Sequence, residues 1–260
     1  MPAVLLSTKI YEDYQLKLVE DFLKNKLKGL KTSIGKVEAS PYGWVQANIS
    51  GEDEKAALNL LQAEIGLCPT SIENVERFAN VKGYVEKIGE SRSEISVDIG
   101  VTAPKPIPAT IPLKYLQAQL ADGRKMALQK ITELYGVNEN TPLTVKITSI
   151  EKNYIEATLA EKQLRLYKKW VKALLDRLII IGASTQEVWK ALKLAQCQKY
   201  IAEIETLGLF EHAIACKLGT DGVGLIPKIG KQLPNGKLNT FSPRKLLEIF
   251  KDHPFFSHEI

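Results

Sequence analysis

The chain has 260 residues, enough for one large domain or two to three small ones. Its composition, 45% hydrophobic and 25% charged, is that of a globular protein and excludes disorder along the whole chain. Thirty-five Lys and Arg stand against 30 Asp and Glu, a net charge of +5 that permits an anionic partner without requiring one. Three cysteines (Cys68, Cys197, Cys216) with no CxxC pair argue against a disulfide framework or a zinc ribbon and fit a reducing, intracellular compartment. The histidines are His212, His253 and His258, so a histidine metal site or triad would rest almost entirely on His212. No apolar run nears the ~20 residues that span a bilayer, and the opening MPAVLLSTKIYEDY turns acidic too early for a signal peptide.

The first stretch reads as a small α/β unit. Residues 3–6 are a short apolar strand. Leu16, Val19, Phe22, Leu23 and Leu27 recur at helical spacing across residues 11–30, and Gly29 stops the run. Residues 34–49 form two strands around the turn Ser40-Pro41-Tyr42-Gly43, and a second helix runs from about Glu52 to Gly66. The order β-α-β-β-α resembles a ferredoxin-like or KH-like half, without the GxxG loop that a KH domain uses to clamp RNA.

The middle reads as five short strands. The first opens at Val81 to Val85. In the second, Ile95, Val97 and Ile99 alternate with Ser96 and Asp98, and Gly100 ends it. A Pro-rich connection (Pro104, Pro106, Pro108, Pro112) leads into the third, and a helix over 124–135 follows. Leu143, Val145 and Ile147 mark the fourth strand; Ile155, Ala157 and Leu159 mark the fifth. That count and order suit an OB-type barrel, in which closure hides the sheet edges.

The last third opens with a helix. Leu164, Tyr167, Val171, Leu174 and Leu178 fall on one apolar seam, so the spacing predicts a single helix over 161–180, ended by Gly182. Ser184 or Thr185 caps the next helix, with Glu187 placed for a capping box. Strands are expected at 200–205 and 211–218, then a glycine loop at 219–224 with no helix start after it, and a final helix opened by Ser242-Pro243.

Residues 82–160 resemble an S1 domain, the RNA-binding version of the OB barrel. The likeness is carried by Gly83-Tyr84-Val85, by Ile95-Ser96-Val97-Asp98-Ile99-Gly100, by Ala109 to Leu116, and by Leu143 to Ile150 with the strand after it. The whole chain resembles an uncharacterised archaeal family, domain of unknown function 2110. Its distinctive strings are Ile204-Glu205-Thr206-Leu207-Gly208-Leu209-Phe210-Glu211-His212-Ala213, Cys216-Lys217-Leu218-Gly219-Thr220-Asp221 and Gly224-Leu225-Ile226-Pro227. The resemblance implies an archaeal, cytoplasmic protein and implies no reaction.

Two groups of residues are candidates for RNA contact. On the barrel, Tyr84 and Tyr154 are read as outward, with Tyr115 nearby, and could stack bases; Lys82, Lys87, Arg92, Lys105, Lys114, Lys146 and Lys152 surround them and could track phosphates. The Pro-rich connection could cover the usual groove. On the helix, Lys162, Arg165, Lys168, Lys169 and Lys172 stand out. Residues 161–199 hold nine cations against three acids, a segment charge of +6 that leaves the rest of the chain near neutral. The same pattern also describes a solvated helix face.

Other groups have plainer readings. Glu211, His212 and Asp221 could be an acid–base set, but on a strand Glu211 and His212 point to opposite faces, which favours a structural His212. Cys216 reads as a small buried apolar residue. Trp44, after a Pro-Tyr-Gly turn, could stand exposed, whereas Trp170 and Trp189 read as packing residues. Phe255 and Phe256 could dock on the body or hook a partner.

The expected architecture is α+β: an N-terminal βαββα unit (1–78), a central S1/OB-like five-stranded barrel (79–160) and a C-terminal α/β region opened by a long basic helix (161–260). The expected function is non-catalytic RNA binding in translation or RNA processing. Ribosomal RNA or tRNA are the foremost partners, with ribosomal or other translation proteins beside them. No membrane, metal or cofactor is expected. The alternatives are an RNA-acting enzyme around His212 and Asp221, and a protein-interaction adaptor.

Overall fold

The structure, a computed structural model, describes residues 3–89 and 91–250. His253, His258, Phe255 and Phe256 lie outside the described residues. The architecture is mixed α+β, and the chain divides into two compact units. The first comprises residues up to 75 together with 99–107; the second comprises 76–98 and 108 onward.

The first unit follows the expected order: β1 (Ala3–Lys9), α1 (Gln15–Lys26), β2 (Thr32–Ala39), β3 (Trp44–Gly51) and α2 (Glu54–Glu64). β3 pairs antiparallel with both β1 and β2. Val19 and Leu23 of α1, Ala57 and Leu61 of α2, and Ala47 and Ile49 of β3 are buried in its core. Trp44 corrects the expectation of exposure: its ring is fully buried beneath Lys9, whose Nζ lies 4.9 Å from the ring centroid. The indole stands at the first position of β3, and a turn signal ahead of a strand does not say which face its first residue takes. Residues 99–107 are tied into this unit through Thr70, whose carbonyl accepts from the N–H of both Thr102 and Ala103.

The second unit begins with a closed barrel. Its strands are β4 (Asn80–Val85), β5 (Glu94–Asp98), β6 (Ala109–Pro112), β7 (Pro142–Glu151) and β8 (Tyr154–Leu159), closed in the order β4-β5-β6-β8-β7. Every pairing is antiparallel except β6 with β8. Val85, Ile95, Val97, Ile111, Val145, Ile147, Ile155 and Ala157 fill the interior, as period-two alternation requires. Two helices, α3 (Leu113–Leu120) and α4 (Leu128–Leu134), lie between β6 and β7 where one was expected.

The remainder is a second sheet. α5 (Glu161–Ala173), β9 (Arg177–Ile181), α6 (Thr185–Leu194), β10 (Ile201–Thr206), β11 (Glu211–Cys216), α7 (Gly222–Gly230), β12 (Lys237–Phe241) and α8 (Pro243–Ile249) follow in turn. The strand order is β10-β11-β9-β12, antiparallel throughout. Here the predicted helix over 161–180 is corrected. α5 ends at Ala173, where Leu174 follows in a left-handed conformation (φ 55°), and Arg177-Leu178-Ile179-Ile180-Ile181 is a central strand. A strand buried on both faces shows no alternation, and after the buried Arg177 this one is apolar at every position, so Leu178 continues the helical seam without a visible break. The glycine loop is corrected too. Asp221 Oδ1 accepts from Val223 N at 3.0 Å and caps α7, which runs through Pro227. The capping box of α6 forms as expected between Ser184 and Glu187.

One face of this sheet packs on α6 and α7 through Leu178, Ile180, Val188, Leu192, Ile214, Leu225 and Ile229. The other face meets an aromatic cluster in which Trp170 lies 5.3 Å from Phe241 and Tyr135 lies 5.0 Å from Tyr167, both edge-on. Among the described residues no helix is long and apolar enough to cross a membrane.

Candidate nucleic-acid interface

The barrel residues sort into three environments. The first is a buried junction with the second sheet. Tyr84 does point outward from the barrel, since Val85 beside it points in. Its ring is nonetheless fully buried, because β11 covers this part of the wall, and its hydroxyl donates to Glu211 Oε2 at 3.4 Å. Lys82 Nζ lies 5.7 Å from the Tyr84 ring. The reading of Tyr84 as a stacking residue is therefore corrected. A Cβ on Gly208 would sit 1.8 Å from Glu211 Oε2 and 3.3 Å from Lys82 Nζ. Gly208→Ala is thus expected to destabilise the protein by about 1–3 kcal/mol through overpacking; a urea midpoint equal to that of the native protein would refute the crowding.

The second environment is acidic. Tyr115 donates to Glu156 Oε1 at 3.1 Å, and Thr148 Oγ1 donates to the same oxygen at 3.3 Å. The Tyr154 hydroxyl is pushed up from its ordinary value, first by burial and then by the charges of Glu94, Glu156 and Glu151. The outer face of β5 adds Asp98 to Glu94, with Ser96 between them. Tyr115 and Tyr154 therefore face carboxylates, a poor setting for phosphates. Lys114 lies 4.7 Å over the Tyr115 ring. Lys87 lines a cavity of about 210 Å³ together with Glu86 and Glu94. Arg92 and Lys152 are exposed in the β4–β5 and β7–β8 connections, and Lys105 belongs to the first unit.

The third environment holds residues that the sequence reading missed. Arg77 and Phe78 lead into β4. Phe78 N–H donates to Ile147 O of β7 at 2.9 Å, and its backbone stands at φ 69°. This left-handed conformation is costly for a bulky residue. The Phe78 ring is 58% exposed. Arg77 lies 4.7 Å over it and Lys146 5.8 Å from its centroid. Arg77 is anchored in turn, with Nε donating to Thr148 O at 2.9 Å. Lys146 projects from β7 between Asn80 of β4 and Thr158 of β8, two uncharged neighbours. An exposed aromatic ring with two cations near it suits stacking of an unpaired base, on the ring face Arg77 leaves open or on the guanidinium plane, with phosphate contact from Lys146. Phe78 went unread because it stood alone in a connecting stretch; the available signal was the Arg-Phe pair just ahead of a strand.

The basic helix is partly spent on structure. Lys169 Nζ pairs with Glu205 Oε1 at 3.0 Å, and Arg165 pairs with Glu161 at 3.6 Å. Lys162, Lys168 and Lys172 form no ion pair among the described residues. α5 joins the barrel beside Lys146: Gln163 Oε1 accepts from the N–H of Thr144, two residues along β7.

His212 and Asp221 are not brought together. His212 is buried, its Nε2 lies 2.9 Å from Ala183 O, and burial lowers its pKa. It points to the α6–α7 face and Glu211 to the other. Asp221 is used as a helix cap near Cys216, about 13 Å farther along the sheet at the rise of a strand. Burial pushes the Cys216 thiol up to about 11, away from nucleophilic chemistry. Among the described residues no three His, Cys, Asp or Glu side chains are grouped as metal ligands would be.

Comparison with solved structures gives weak overall likenesses. A provisionally named exosome complex RNA-binding protein aligns at 12% identity over 62% of this chain and 83% of its own, with a TM-score of 0.23. A protein from Thermus thermophilus aligns at 14% identity over 96% of this chain and 43% of its own, with a TM-score of 0.17. At such scores neither alignment bears on fold or function. No curated protein matches the chain. Three family models do match: the DUF2110 N-terminal domain over residues 3–71, the DUF2110 central domain over 75–171 and the DUF2110 C-terminal domain over 175–241.

Proposed function

This chain belongs to the DUF2110 family, a domain of unknown function, and we propose that it is a non-catalytic RNA-binding protein that holds unpaired bases of a structured RNA against the β4–β7 wall of its barrel. The observation that carries this reading is Phe78, exposed at a strained backbone position with Arg77 4.7 Å and Lys146 5.8 Å from its ring centroid. The barrel's strand order supports it, because first-second-third-fifth-fourth is the OB-type order. The usual oligonucleotide face of such a barrel lies on its second and third strands, where this chain presents Glu94 and Asp98. Contact moves instead to the cationic β4–β7 side, and α5 extends it with Lys162, Lys168 and Lys172. Ribosomal RNA and tRNA offer the unpaired loops that suit such a site, and translation proteins bound to them are secondary partners.

The charge on α5 is tested by reversing only the lysines that form no ion pair among the described residues. Lys162→Glu, Lys168→Glu and Lys172→Glu together are expected to weaken binding across sequences. They should also flatten the plot of log affinity against log salt by about 0.7 for each lost phosphate contact. Lys169 is left in place because it holds Glu205. An unchanged salt slope would remove α5 from the interface. The target is sought by crosslinking from the native source with sequencing of bound RNA: discrete crosslinks through Phe78 are expected, and the absence of any enriched RNA would overturn the reading.

A further inference from the structure

We propose that the outer face of α6 is a second contact for single-stranded RNA, built on Trp189, Lys190 and Lys193; it rests on the RNA-binding reading above. The inner face of α6 is fully used, since Val188, Ala191 and Leu192 are buried in the core beneath it. Trp189 is not part of that packing and is 49% exposed, contrary to its reading as a packing residue. The other two tryptophans, Trp44 and Trp170, are buried.

The helix holds Trp189 in place. Ser184 Oγ accepts from Glu187 N at 3.3 Å, and Glu187 Oε2 accepts from Ser184 N at 2.8 Å and from Ser184 Oγ at 2.7 Å. This box also consumes the one carboxylate in α6. The exposed positions that remain are Thr185, Gln186, Lys190, Lys193 and Leu194, and the charged ones among them are both cationic. Lys190 and Lys193 are exposed and form no ion pair among the described residues. Lys199, just beyond the helix, lies 5.0 Å over the Tyr200 ring. A large exposed aromatic plane on a helix whose exposed charged residues are lysines is complementary to a base and its phosphates. The core of a protein–protein interface is instead depleted in lysine around its aromatic anchors.

The test uses the full chain and a 24-nucleotide oligouridylate at low salt, with fluorescence titration and circular dichroism of each variant. RNA is expected to quench tryptophan emission in the native protein and not in Trp189→Phe. Trp189→Ala is expected to lower affinity about tenfold, within the range for loss of one stacked base. Because residue 189 is exposed, its variants should keep the native fold. Full affinity and unchanged quenching in the Trp189 variants, with affinity still lost in Phe78→Ala, would overturn the second contact and leave the barrel site standing. Loss of affinity in Trp189→Ala but not in Phe78→Ala would support α6 and sink the barrel site. No binding by the native protein would overturn both.

Discussion

Replacing Phe78 with glycine is expected to weaken RNA binding by about tenfold or more while leaving the protein as stable as before. Two energies set this result. A stacked base is worth about 1–3 kcal/mol, and Phe78 is the exposed plane that would carry it. In the opposite direction, a left-handed conformation costs a bulky L-residue about 1–2 kcal/mol, and φ 69° is a conformation that glycine adopts freely. Glycine gives back about 0.5–1 kcal/mol through the greater entropy of the unfolded chain, and little buried area is lost from a ring already in water. Stability should therefore change by less than about 1 kcal/mol, or rise slightly. The backbone bond from residue 78 to Ile147 O survives the change. Affinity measured by anisotropy and stability measured by urea unfolding decide the matter. Binding retained in the glycine variant would mean that the strain serves something else.

Glu205→Ala is expected to cost about 3 kcal/mol, the largest loss foreseen for a single polar side chain here. Glu205 accepts from the Trp170 indole N–H at 2.8 Å and from Lys169 Nζ at 3.0 Å, and it pairs with Arg177 at 3.4 Å. Arg177 is 2% exposed and Glu205 19%. Removing the carboxylate takes from a buried guanidinium the stronger of the two carboxylate charges acting on it, Glu203 supplying the other, and leaves an indole N–H without its acceptor. Burial raises the Glu205 carboxyl, but the hydrogen bonds from Trp170 and Lys169 and the charges of Lys169 and Arg177 outweigh it and hold it below its ordinary 4.5. A depressed carboxyl stabilises the fold above its unfolded value, and that contribution is lost as pH falls from 4.5 through the folded value. His212, held below its ordinary 6.5 mainly by burial, acts with the same sign at higher pH. Stability should thus fall as pH drops past 6.5 and fall again below 4.5. The Glu205→Gln variant should lose the second decline and keep the first. A loss under about 1 kcal/mol in Glu205→Ala would place this cluster among ordinary surface ion pairs.

Local patterns in the chain determined much of the fold. Period-two alternation in 95–99, 143–147 and 154–159 marked barrel strands, because a closed sheet has a wet and a dry face and the residues must alternate to match. Ser184 and Glu187 marked the start of α6, because a cap is a contact between near neighbours. The Glu211–His212 opposition also followed from strand geometry alone. Where those local rules were silent, tertiary structure decided. Arg177 to Ile181 is buried on both faces, so it carries no alternation and reads as helix until the sheet around it is seen. Tyr84 points outward as its position requires, yet β11 lies over it, and no spacing within 80–85 can reveal a partner more than a hundred residues away. Lys169 looks like its neighbours on α5 until Glu205 is found beside it. Phe78 is the sharpest case. Its neighbour Arg77 is written beside it, but the positive backbone angle, the bond to Ile147 and the approach of Lys146 from β7 are not.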